Sequence, residues 1–118
     1  MVEDEPLLRR TTVEILRLSG YAVIETRSAA EAVALLDSRD SGKSIDFVFS
    51  DVCVAGSTDG LSLAQWLHNR RPDVPVMLTT AHGGAVRDAA IEIVGNESFL
   101  QKPYSPNELV HRIRSTIR

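Results

Sequence analysis

Apolar residues along this chain follow two alternating rhythms. Leu7, Leu8, Thr11, Ile15 and Leu18 recur at helical spacing, with Arg9, Arg10, Glu14 and Arg17 between them. Gly20 stops that helix. Residues 21–26 read as a short strand. Ser28 then caps a second helix, with Glu31 three residues later completing a capping box, and Ala32, Val33 and Leu36 on the buried side. Residues 45–50 are predicted as a strand buried on most sides, followed by a polar loop from Asp51 to Asp59. The next helix puts Leu61, Ala64 and Leu67 on one face and ends before Pro72. Residues 75–80 form a further strand, 85–94 a weakly amphipathic helix and 98–101 a short strand. Ser105, Pro106 and Glu108 open the last helix with a Ser cap, a first-turn Pro and an acidic third position. Leu109, Val110, Ile113 and Ile117 supply its apolar stripe.

Strand–helix alternation at this spacing implies a parallel sheet covered on both faces. Four strands and five helices are legible. A fifth strand should precede the first helix, where only Met1 and Val2 stand. That strand is expected either to be shortened or to start upstream of Met1. No repeat, linker or low-complexity stretch interrupts residues 1–118, which read as one domain.

Composition narrows the function classes. Lys and Arg number 13 and Asp and Glu 16, a formal net charge of -3. That balance gives no general drive toward nucleic acid or an anionic membrane. The single cysteine excludes an internal disulfide framework and a multi-cysteine metal knuckle. No apolar run approaches the ~20 residues that span a bilayer, and the opening Met1-Val2-Glu3-Asp4-Glu5 lacks the order of a signal peptide. A cytoplasmic, soluble domain is the expectation.

In open parallel sheets, ligands bind beyond the C-terminal ends of the strands. Glu3 and Asp4 follow the first strand there, Asp51 ends the third, Thr80 the fourth and Lys102 the fifth. Three carboxylates in one place repel and raise one another's pKa. A hard divalent cation relieves this, and Mg²⁺ suits carboxylate and water ligands. A lysine and a hydroxyl beside it make a site for a doubly charged phosphoryl group. Asp51, the central carboxylate, can attack phosphorus in line. Neither a nucleotide P-loop nor a dinucleotide glycine fingerprint is present, so the phosphoryl group is expected to arrive from outside.

In order and spacing, several segments together resemble the receiver domain of two-component response regulators. They are Val2-Glu3-Asp4-Glu5-Pro6, Ser50-Asp51-Val52, Gly56 with Asp59-Gly60, 75–81, and Phe99-Leu100-Gln101-Lys102-Pro103-Tyr104. The resemblance covers essentially the whole chain. It implies a flavodoxin-like, doubly wound five-stranded sheet of order 2-1-3-4-5 with five flanking helices. It implies Asp51 as phosphoacceptor, Glu3 and Asp4 as the metal-binding acidic pair, and the Cys53 carbonyl as a further Mg²⁺ ligand. Thr80 would bond one phosphoryl oxygen and Lys102 another. Thr80 and Phe99 would relay occupancy to the surface of the fourth helix, fifth strand and fifth helix. The Lys102–Pro103 bond would be cis.

A sensor histidine kinase or phosphotransfer protein would be the donor, and an effector protein or attached output domain the recipient of the signal. Direct nucleic-acid or membrane contact is not expected, and the state would be a monomer or a weak phosphorylation-dependent dimer. Catalysis would be limited to self-phosphorylation and slow autodephosphorylation. The chain departs from the family at Val54-Ala55-Gly56, where Met-Pro-Gly is usual, in a loop one residue longer, and at Gly95-Asn96 in place of Gly-Ala. The first departure and the missing start of the first strand motivate an alternative, a receiver-like interaction domain that is not phosphorylated. A flavin or nucleotide binder of the same topology is disfavoured by the scarcity of glycines after the first strand, and because Glu3 and Asp4 would repel a phosphate.

Overall fold

The computed structural model describes residues 1–3, 5–37, 45–53 and 59–117. Three parallel strands, β1 (Val48–Asp51), β2 (Val76–Thr80) and β3 (Phe99–Gln101), lie in the order β1-β2-β3. Val48 pairs with Val76 and Asp51 with Thr79; Leu78 pairs with Phe99 and Thr80 with Gln101. Every residue of β1 and β2 is buried, as expected for strands covered on both faces.

Five helices surround the sheet: α1 (Pro6–Leu18), α2 (Ala29–Asp37), α3 (Asp59–Arg70), α4 (Gly84–Val94) and α5 (Pro106–Ile117). The expected caps form. The Glu31 amide donates to the Ser28 hydroxyl and the Glu108 amide to that of Ser105, each at 3.1 Å. α1 ends at Leu18, and Gly20 takes a positive φ of 97° that suits glycine. A 3-10 turn at Asn96–Ser98, entered through Gly95 at φ 85°, leads into β3.

The chain start is the main departure. Val2 makes single parallel bridges to both Thr26 and Ser50, so it lies between them. Residues 21–25 and 45–47, expected in strands, are not in one. The bridges there fall on Val2 alone, and a ladder needs successive partners on the neighbouring strand. Beside these segments lies a cleft of about 780 Å³ lined by Met1, Val23, Ile24, Leu36, Phe47 and Ile113 among others. Among the described residues the sheet is therefore three strands, continued by isolated bridges at Val2.

A second correction concerns α1. Of the expected stripe of Leu7, Leu8, Thr11, Ile15 and Leu18, Leu8 and Ile15 are half-buried, with Ile15 against the second apolar cluster, but the fully buried positions lie elsewhere. Thr12, Val13 and Leu16 are buried, whereas Leu7 is 71% and Leu18 82% exposed. The true face includes the polar Arg9 and Thr12, and Arg9 is satisfied by the Glu3 carbonyl and Glu25. Burial of a polar side chain depends on such partners, and these come from distant segments.

Two apolar clusters meet the sheet. One gathers Val2, Leu36, Val48, Leu63, Leu67, Leu78 and Phe99; the other Leu16, Phe49, Met77, Leu100, Leu109 and Ile113. Trp66 is half-buried against the first. No described helix is long and apolar enough to cross a membrane.

Candidate functional site

Backbone stitching brings distant segments to one end of the sheet. The Val2 amide donates to the Phe49 carbonyl at 2.8 Å and the Asp51 amide to that of Val2 at 3.0 Å. Glu3 therefore emerges beside Asp51. The Lys102 amide donates to the Thr80 carbonyl at 2.9 Å, which fixes the end of β3 against the end of β2. The Lys102–Pro103 peptide is cis, as the resemblance implied.

Lys102 joins the two carboxylates. Its Nζ donates to Asp51 Oδ2 at 2.6 Å and to Glu3 Oε1 at 2.9 Å. The other Asp51 oxygen accepts the Cys53 amide at 3.1 Å, and the other Glu3 oxygen accepts the Glu5 amide at 3.4 Å. Glu3 is 4% and Asp51 8% exposed. Burial pushes the Glu3 carboxyl above its usual range, aided by the Asp51 charge and opposed by Lys102. Burial alone would lower the Lys102 pKa, but the hydrogen bonds and charges of Asp51 and Glu3 outweigh it and hold it above its ordinary value. Two desolvated carboxylates thus share one ammonium, leaving excess negative charge that a further cation would offset.

Thr80 is fully buried at the end of β2, and its hydroxyl accepts the His82 amide at 3.1 Å. Thr79, the neighbour that could have competed for the role, is also buried, and its hydroxyl has no partner among the described residues. Phe99 is buried in the first apolar cluster. His68, His82 and His111 are exposed. Asp4 and the variant loop 54–58 lie outside the described residues. Among the described residues, no group of three or more His, Cys, Asp or Glu side chains forms a ready metal cluster. The hard oxygen donors present, Glu3 and Asp51 with the Cys53 carbonyl nearby in sequence, suit the chemistry of Mg²⁺.

Three residues contribute to the site through contacts that the sequence reading did not assign. Arg9 donates through Nη1 to the Glu3 carbonyl at 3.1 Å and through Nε to Glu25 at 3.3 Å, which ties the start of α1 to the site. Gly60 packs against the strand end. A Cβ there would overlap the Asp51 carbonyl oxygen and fall within 2.7 Å of Val52 Cα. A glycine inside a helix costs about 1 kcal/mol relative to alanine, and that penalty was the available signal. Gln101 donates to the Thr80 carbonyl at 2.8 Å and the His82 carbonyl at 3.3 Å; nothing in its spacing marked it.

The response regulator receiver domain family matches residues 1–114. The chain belongs to that family. Curated relatives include the phosphate regulon transcriptional regulatory protein PhoB of Pseudomonas aeruginosa, 29% identical across 100% of this chain and 50% of its own length. Another is the C4-dicarboxylate transport transcriptional regulatory protein DctD of Rhizobium meliloti, 32% identical across 97% of this chain and 24% of its own. The chain thus spans half or less of these two relatives. Among solved structures, a putative response regulator from Chloroflexus aurantiacus superposes with a TM-score of 0.82 at 26% identity, covering 98% of this chain and 93% of that one. A CheY-like receiver domain from Methanospirillum hungatei gives 0.84 at 21% identity, covering 98% and 89%, a likeness of fold. Membership carries the family's phosphorylation-based receiver function.

Proposed function

We propose that Asp51 accepts a phosphoryl group from a histidine kinase or phosphotransfer protein, with Mg²⁺, and loses it slowly to water. The observation that carries this reading is the Lys102 ammonium held between Asp51 and Glu3 at 2.6 and 2.9 Å. It flanks Asp51, at the C-terminal end of β1, with a cation that can pair with incoming phosphoryl oxygens.

In the forward step, an Asp51 carboxylate oxygen forms the new O–P bond while the P–N bond to the donor histidine breaks. The imidazole leaves with the electron pair and takes up a proton. In the reverse branch water attacks phosphorus, the Asp51 O–P bond breaks, and inorganic phosphate and the carboxylate are restored. Glu3, Asp4, Asp51 and the Cys53 carbonyl are the groups that would hold Mg²⁺. When bound, the ion offsets charge on the carboxylates and the phosphoryl oxygens.

Lys102 holds Asp51 in place before transfer and neutralises phosphoryl charge after it. Thr80 donates its hydroxyl proton to a phosphoryl oxygen, and the loop it heads moves with it. Phe99, buried at the start of β3 and paired with Leu78, transmits the shift to the face formed by α4, β3 and α5. An effector protein or attached output domain reads that face.

Phosphoryl uptake from acetyl phosphate, followed with and without a chelator, tests the reading. Uptake that needs Mg²⁺ supports it, and uptake at full rate in excess chelator contradicts the metal assignment.

A further inference from the structure

Gln101 stands one residue before Lys102 with its side chain turned toward the loop after β2. Its Nε2 carries two N–H donors and sits beside two carbonyl oxygens, Thr80 O at 2.8 Å and His82 O at 3.3 Å. Those neighbours fix the amide's orientation, since only the nitrogen end can donate to carbonyls. The other end, Oε1, is buried and finds no donor among the described residues. Two bonds from one amide therefore hold both ends of the three-residue segment that carries the Thr80 hydroxyl. Within that segment the hydroxyl accepts the His82 amide at 3.1 Å.

We propose that Gln101 is a positioning residue that clamps the 80–82 loop in its resting place and so sets how readily Thr80 reaches a phosphoryl group on Asp51. This rests on the phosphoacceptor reading of Asp51. The orphaned Oε1 makes the clamp a balanced one. The resting arrangement keeps two bonds to the loop but leaves a buried acceptor unpaired, and releasing the loop frees the amide to find a donor. An element with two nearly equal arrangements is what a small change at the site can tip. Removing the donors leaves the rest of the fold supported, because the Thr80 carbonyl keeps the Lys102 amide at 2.9 Å and His82 is exposed to water.

The test uses Gln101→Met, similar in size without donors, and Gln101→Glu, similar in shape with acceptors only. Hydrogen exchange at the His82 amide, read by NMR in the unphosphorylated protein, should rise about tenfold in both, the scale of one net hydrogen bond. Exchange at the Val52 amide, bonded to the Thr79 carbonyl at 2.9 Å, should stay unchanged, which a general loosening would not allow. The rate of adduct formation with acetyl phosphate and Mg²⁺ should rise several-fold in Gln101→Met. Unchanged His82 exchange in the Met variant overturns the clamp. Faster exchange with an unchanged adduct rate overturns the positioning role. If the wild type forms no adduct, the phosphoacceptor reading fails, while the exchange data still decide the clamp.

Discussion

Gly60 approaches Asp51 so closely that a β-carbon on Gly60 would overlap the Asp51 carbonyl oxygen. The Gly60 amide also donates to the Val52 carbonyl at 3.0 Å, so the first turn of α3 is fastened to the end of β1. Gly60→Ala must push that strand end aside. The expected loss is at least ~1–3 kcal/mol of stability, the usual scale of overpacking, with slower phosphorylation because the displaced backbone carries Asp51. Urea unfolding and adduct kinetics check both, and an alanine variant with wild-type values in each would refute the close approach.

Lys102→Met leaves Glu3 and Asp51 buried without their shared ammonium. The charged groups then lose a hydrogen-bond partner, worth about 1–3 kcal/mol, and the loss is moderated because the Lys102 side chain is 15% exposed and water can reach the pair. Mg²⁺ should restore part of the stability, since any ion that binds only the folded state stabilises it by mass action. Urea midpoints with and without Mg²⁺ measure this. A variant as stable as wild type in the absence of Mg²⁺ would show that Lys102 does not hold the carboxylates together.

The order of elements and most of the site were legible because each rests on local chemistry: caps at Ser28 and Ser105, apolar strand runs, and polar residues at strand ends. The buried face of α1 was not. Arg9 and Thr12 lie on that face beside the apolar residues, and Arg9 is held there by Glu3 and Glu25, which no local pattern connects to it. Gln101 escaped for the same reason, as its partners Thr80 and His82 belong to another strand and its loop. Residues 21–25 carry strand-like sequence, yet pairing is a property of two segments, and the bridges beside them fall on Val2 alone.

That shortfall leads to a prediction about the cleft beside Val2. Three to five apolar residues fused before Met1 would run between residues 21–25 and 45–47 and cover the cleft of about 780 Å³. Each side chain buried there should add ~1.5–3 kcal/mol before the cost of ordering it. The urea midpoint of the extended protein should exceed that of residues 1–118. Equal midpoints, with both proteins monomeric, would contradict the expectation.

The phosphoryl group should persist for minutes. The residues two beyond Asp51 and two beyond Thr80 are Cys53 and His82, and neither bears a carboxylate or an amide to orient an attacking water. Cys53→Asn supplies an amide at that place and should shorten the lifetime. Decay followed after removal of excess donor checks this, and wild-type loss within seconds would show that water is already well oriented.

The central claim is that Asp51 is the phosphoacceptor, and intact-protein mass spectrometry tests it most directly. Incubated with acetyl phosphate and Mg²⁺, the wild type should gain about 80 Da, one phosphoryl group, and lose it in hydroxylamine as an acyl phosphate does. Asp51→Asn keeps the shape, removes the charged nucleophile and should show no such adduct. A full-yield, hydroxylamine-labile adduct on the Asp51→Asn protein would contradict the account.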